Sequence, residues 1–448
     1  MNSKKDTYRE LIRLGLPIIF QNLLSFSFGA CDSLMLSRLG KEAISSAYIG
    51  SQVQLLLQTL TLGITLTVAL IGSQCYGRGD TEGSADALSL GLKLSLALGA
   101  AATLASLVFP THVSSVFSKN DALAPGGARF IRICAPSYIP FCLSQVLISA
   151  ERGIQAPMTG FITCAVGLSV KIFSGVVLIF GGLGIEGVGA LGAAYSTVIA
   201  RACELVTAIL AVYVFDGRLR ASGKNFLKFD RKMLSLFLKF GAPIMASQMT
   251  WAANTLLCAS VIGRINEAAA LPAVSMTSTI SSLALAVISG TASAVGILTA
   301  KMVGEDKSEE LRVYSRQTER ISLVLGLLIC TAFMLLRGWY LSLYDTEEEA
   351  KALAGNLISI LALISVATSY QSATMTGLIK SGGDTAFAFK TDLLLLALVT
   401  LPLSLSALGL GMPTEAVFVI LKSEQVIKCP IAAIKVRKFD WIKKAYSD

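Results

Sequence analysis

About twelve stretches of this chain are apolar for roughly 20 residues or more, the length an α-helix needs to cross about 30 Å of hydrocarbon, and they fix the solvent in which it folds. They lie near 14–37, 47–72, 86–109, 129–150, 158–182, 187–214, 235–262, 268–300, 320–341, 352–379, 386–410 and 413–436. A chain that is 54% hydrophobic and 15% charged over 448 residues carries more apolar side chain than a water-soluble core can hide. In lipid every backbone polar group must be satisfied within its own segment. The predicted fold is therefore all-α and integral to the membrane, with twelve transmembrane helices.

Lys and Arg collect between alternate spans: Lys4, Lys5, Arg9 and Arg13; then Arg218 to Lys232; then Lys301 to Arg320; then Lys435 to Lys444. By the positive-inside rule both termini face the cytoplasm, as an even number of spans requires. The formal charge of +9 then reports topology and contact with anionic lipid rather than nucleic acid. Lys4 to Arg13 followed by Leu14 to Ala30 looks like the start of a secretory signal, but the remaining spans predict that this helix is retained.

The chain repeats itself weakly. Leu14-Gly15-Leu16-Pro17-Ile18 aligns with Phe240-Gly241-Ala242-Pro243-Ile244, Ser37-Arg38 with Gly263-Arg264, and Gln145 with Gln371, at an offset of about 226 residues. The expected organisation is an N-terminal lobe at 1–214, a basic cytoplasmic linker at 215–234 and a C-terminal lobe at 235–448. Membrane proteins built from two such copies usually hold their working site between them. At one aligned position the copies differ sharply, Asp32 facing Cys258.

Several chemistries are disfavoured. The nine cysteines fall almost entirely within spans without CxxC spacing and read as small apolar fillers. A single histidine, His112, removes His-based zinc sites and triads, and no GxxxxGK[ST] supports ATP-driven pumping. Gly182-Leu183-Gly184-Ile185-Glu186-Gly187 fits GxGxxG, with Glu204 near the distance of a ribose-binding acid. It follows an apolar helix, however, not the strand a dinucleotide site needs. No catalytic set, metal site or cofactor is predicted, so the chain does not read as an enzyme.

Ionisable groups inside spans are the informative residues, because charge is costly there. Asp32 lies about six residues before Arg38, roughly 9 Å inside the outer end of the first helix, and is the leading candidate for proton or cation coupling. Lys171 sits mid-span with no opposite charge within a turn. Its partner must come from another helix or from substrate, and Asp32 is a candidate despite a depth difference of roughly 8 Å. Arg201 and Glu204 share a helix face, which fits either an internal pair or coupling by Glu204. Asp392 and Lys428 are expected to form a structural ion pair, with Glu424, one turn from Lys428, as a second proton site. Gln21, Asn22, Gln145, Gln248, Trp251 and Gln371 are candidates for a polar-aromatic cavity, together with Lys171 and Arg201, and packing hydrogen bonds between helices are the alternative for the amides.

These residues resemble a family. Leu14-Gly-Leu-Pro-Ile-Ile-Phe-Gln-Asn22, Cys31-Asp-Ser-Leu-Met35, Ser37-Arg-Leu-Gly40 and Ser381-Gly-Gly-Asp-Thr385 look like the multidrug and toxic compound extrusion (MATE) family, in particular its bacterial DinF-like branch, over essentially the whole chain. The resemblance implies twelve helices in two six-helix lobes, a central cavity, and antiport of organic compounds against H+ or Na+ in a bacterial inner membrane. It makes Asp32 the coupling acid and Asp384 a loop cap. It further implies a monomer whose partners are a small organic substrate, the coupling ion and lipid. Where the family often has Asn and a second acid or Asn, this chain has Lys171 and Gly175, and Gln248 stands where a Glu is frequent. A less negative cavity suits zwitterionic or anionic solutes better than lipophilic cations. A flippase for lipid-linked precursors or anionic lipids, from the same superfamily, is the alternative reading.

Overall fold

The computed structural model describes residues 2–39, 41–117, 124–182, 184, 186–216, 218–219, 230–265, 267, 269–344 and 346–445. Almost all of them are helical: α1 (Asn2–Leu36), α2 (Lys41–Gly77), α3 (Thr81–Val108), α4 (Pro110–Phe117), α5 (Ala124–Cys134), α6 (Tyr138–Gly153), α7 (Pro157–Phe180), α8 (Ala190–Leu210), α9 (Arg231–Ile262), α10 (Ala270–Gly304), α11 (Ser308–Ser342), α12 (Glu348–Gln371), α13 (Thr385–Leu395), α14 (Leu401–Gly409) and α15 (Thr414–Lys438). One short 3-10 turn, Ala135–Ser137, joins α5 to α6 into one span, and π-helical turns at Ser372–Lys380 and Leu396–Thr400 prolong α12 and join α13 to α14.

Among the described residues, ten helices are long and apolar enough by themselves to cross a membrane. The other two of the twelve spans, α9 and α15, fall short for a chemical reason: α9 carries Gln248 and Asn254, and α15 carries Glu424 and Lys428. Polar side chains are retained in spans where they find partners, and Asn254, Glu424 and Lys428 do. Leu34, Leu335, Leu398 and Leu410 each leave more than two thirds of their surface open, which is tolerable only where hydrocarbon covers them.

Two compact units form: Phe20–Gly241, and Met1–Ile19 together with Ala242–Asp448. Helix α1 changes unit just after Pro17, and α9 changes unit just before Pro243. These are the two prolines aligned by the repeat. The first unit is centred on Leu57, Ile131, Tyr138, Cys142, Ile179 and Ala193, the second on Leu14, Ile18, Val295, Met375, Leu378 and Trp441. Helices approach closely where glycine allows it. A Cβ on Gly192 of α8 would meet the Leu178 carbonyl carbon and oxygen of α7 at 2.6 Å, so α7 and α8 pack backbone to backbone there.

Candidate functional site

Within the unit Phe20–Gly241, α7 carries Lys171 into a fully buried position. Its ammonium donates to the Ala193 carbonyl at 2.9 Å, to Ser196 Oγ at 3.1 Å and to Thr197 Oγ1, all on the first turns of α8. It also lies 2.7 Å from Asp32 Oδ1 on α1. The depth difference inferred for straight helices does not keep the two apart, and among the described residues Asp32 is the one carboxylate in ion-pair contact with Lys171. The two partners differ in access: the Lys171 side chain is sealed, whereas 29% of the Asp32 side chain is open.

A helical turn along α8, Arg201 pairs with Glu204 at 2.5 Å, and Gln145 of α6 donates to the other Glu204 oxygen at 3.1 Å. The Arg201 guanidinium lies 4.2 Å from the ring centre of Phe28 and 4.7 Å from that of Phe141, a cation–π sandwich that fixes it in an apolar setting. Gln21 is buried on α1, donates to Cys164 Sγ at 3.4 Å and accepts two hydrogen bonds from Arg152 at 2.5 and 3.2 Å. Asn22 is half-buried beside it.

The other unit holds a second polar chain. Lys428 lies 3.0 Å from Asp392 and 3.7 Å from Glu424, and Ser247 of α9 donates to Asp392 while accepting from Lys380 at 3.0 Å. Glu424 accepts from Asn254 and from Gln425, both at 3.0 Å, and Gln371 donates to Gln425 at 2.7 Å. Gln248 is half-buried, and Trp251 is exposed, its carbonyl accepting from Thr255 Oγ1 at 3.0 Å.

Asp384 differs from the loop-cap expectation. It holds the position before α13, yet its side chain makes no capping hydrogen bond. It binds Lys443 at 2.7 Å and Lys435 at 3.0 Å instead, because the C-terminal segment folds back along the loop with Trp441 buried and Lys443 N–H donating to the Gly382 carbonyl. Burial alone would raise the Asp384 carboxyl; the hydrogen bonds and charges of Lys443 and Lys435 outweigh it and hold the group below the usual carboxylate range.

Arg152, Ser247, Asn254, Lys380 and Gln425 were not singled out by sequence. The signal that could have found two of them is the repeat itself. Gln21 and Ser247 are aligned positions on the first helix of each copy, and each receives a hydrogen bond from a basic residue, Arg152 or Lys380, near the C-terminal end of the fourth span of its own copy.

The MatE family model matches residues 17–177 and 243–420, which take in Asp32 and Lys171 of the first cluster and Ser247, Lys380 and Asp392 of the second. This chain belongs to the MatE family. It is a multi-pass membrane transporter of the multidrug efflux class, not an enzyme. A probable multidrug resistance protein, NorM, from Halalkalibacterium halodurans is 26% identical over 75% of this chain and 73% of its own length. Among solved structures, the Vibrio cholerae MATE transporter VcmN in its bent form superposes with a TM-score of 0.87 at 18% identity, covering 98% of both chains. A MOP superfamily transporter from Pyrococcus furiosus, for which reverse polarity of the binding pocket suggests a different function, superposes at 0.86 with 17% identity, covering 97% of this chain and 96% of its own. These likenesses establish twelve helices in two lobes for this MatE chain, and a relative named for multidrug resistance does not favour the flippase alternative.

Proposed function

We propose that this MatE transporter is a proton-coupled antiporter that exports amphipathic organic compounds by alternating access, with the Asp32–Lys171 pair as its coupling element. It works in a bacterial cytoplasmic membrane with both termini cytoplasmic, an orientation supported by the alternate placement of Lys and Arg along the sequence.

The observation that carries the reading is the asymmetry of the pair. Lys171 is sealed and already bound to three neutral oxygens, so its ammonium stays hydrogen-bonded when Asp32 is protonated. Asp32 is partly open, so a proton can reach it. Neutralising Asp32 removes the attraction holding this part of α1 against α7 while the Lys171 ammonium keeps its three hydrogen-bond acceptors, so protonation weakens this contact between the helices. A sodium ion would sit beside an ammonium 2.7 Å from the carboxylate, which favours the proton as coupling ion. Residues Glu204 and Glu424 are each held by one basic partner and by amides, which suits them to second proton sites or fixed helix contacts.

Proteoliposomes carrying an imposed proton gradient test this directly. Adding a transported dye should drive measurable proton movement with the wild type, and Asp32→Asn should abolish it. Undiminished proton movement in Asp32→Asn would remove the pair from the coupling step.

A further inference from the structure

Arg312 and Arg316, one turn apart on the first turns of α11, meet Arg437 from the last turn of α15 around a cavity of about 140 Å³ closed by Ser315, Glu319, Val436 and Phe439. Among the described residues no carboxylate lies within ion-pair distance of any of the three guanidinium groups; Glu319 is engaged by the Tyr370 hydroxyl at 2.8 Å. Three guanidinium groups and one carboxylate, Glu319, line the cavity, so its lining keeps a net positive charge and favours an anion that bridges the arginines.

The cavity floor is built. Phe439 takes the left-handed backbone conformation at φ 57°, which an L residue adopts at some strain, and its ring lies 4.9 Å below the Arg312 guanidinium. That ring stacks edge-on against buried Trp441, whose indole N–H donates to the Val436 carbonyl at 3.3 Å. Below the cavity, Leu323 and Leu327 lie on the same helical face as Arg312 and Arg316 and are 42% and 56% exposed, so an apolar stripe runs from the arginines into the depth of the span. A cationic pocket continuous with a lipid-facing stripe matches a molecule with a charged phosphate at one end and acyl chains at the other.

We infer that the Arg312–Arg316–Arg437 cavity binds the phosphate headgroup of an anionic phospholipid, with its acyl chains along Leu323 and Leu327. The orientation proposed above would put this lipid in the cytoplasmic leaflet; the binding itself does not rest on that orientation, and it is read in detergent, where neither sidedness nor transport enters.

Native mass spectrometry of the full chain with titrated phosphatidylglycerol is the test, with phosphatidylcholine and inorganic phosphate as comparison probes. Retention of phosphatidylglycerol over phosphatidylcholine is expected to fall roughly fivefold for each of Arg312→Gln, Arg316→Gln and Arg437→Gln. Arg316→Lys should recover only part of the loss, because an ammonium keeps the charge but not the bidentate fork. Lys438→Gln, which removes an equal charge beside the cavity, should change nothing. Two results overturn the proposal: equal lipid retention in all variants that elute as folded monodisperse protein, or a loss from Lys438→Gln as large as from the cavity arginines. Displacement of phosphatidylglycerol by equimolar inorganic phosphate would make this a free-anion site and overturn the lipid assignment.

Discussion

Among the described residues Lys171 has no second carboxylate within ion-pair reach, so its energetics can be separated from those of the wider network. Asp32→Asn leaves a sealed ammonium with neutral partners alone and should destabilise the protein by about 3 kcal/mol, the lower end for breaking a buried pair because Asp32 is partly open. The double variant Asp32→Asn/Lys171→Met removes the stranded charge and should recover most of that loss. Thermal unfolding in one detergent at one pH measures the cycle; additive single and double losses would mean that the pair is not energetically coupled. Sequence identified both residues as expensive charges inside spans but could not decide that they pair. Axial depth counted along straight, upright helices ignores tilt, and tilt is set by packing that a single sequence does not print. Neutral members such as Ser247 and Asn254 were less legible still: a hydroxyl or amide in a span is ordinary until a partner helix brings Asp392 or Glu424 to it.

At the scale of the element, α1 and α9 each cross from one compact unit to the other within two residues of a proline, Pro17 and Pro243. An interior proline removes one hydrogen bond of the helical ladder and crowds the carbonyl four residues earlier, so each crossing coincides with the most compliant point of its helix. The duplication made both prolines visible in the sequence; that the chain changes unit there is a tertiary fact. Pro17→Ala restores the missing bond to the Arg13 carbonyl and relieves up to about 3 kcal/mol of helix penalty. The variant should therefore melt higher yet transport more slowly in proteoliposomes, with its substrate range unaltered. A Pro17→Ala protein that gains stability and keeps wild-type turnover would show that bending of α1 is not part of the cycle.

For the molecule as a whole, the repeat fixes the plan and its divergence fixes the chemistry. Each copy returns a base from its fourth span to the same place on its first helix, Arg152 to Gln21 and Lys380 to Ser247, yet only the first copy sets an acid at Asp32, where the second has Cys258. The buried charges of the two clusters are balanced inside each unit, Asp32, Glu151 and Glu204 against Arg152, Lys171 and Arg201, and Asp392 and Glu424 against Lys428 and Lys380. A cluster already neutralised from within presents little net negative potential to a lipophilic cation, and attraction of an organic cation needs an uncompensated acid. Zwitterionic and anionic dyes should therefore elicit proton movement at least as strongly as cationic dyes of similar size. Lys171→Asn frees Asp32 from its internal cation and should shift that preference toward cations. The measurement is intravesicular pH in proteoliposomes against a panel of the three dye classes. A wild type that responds to cations alone, or a Lys171→Asn variant whose preference is unchanged, would show that Lys171 sets the position of Asp32 without setting the charge of the substrate.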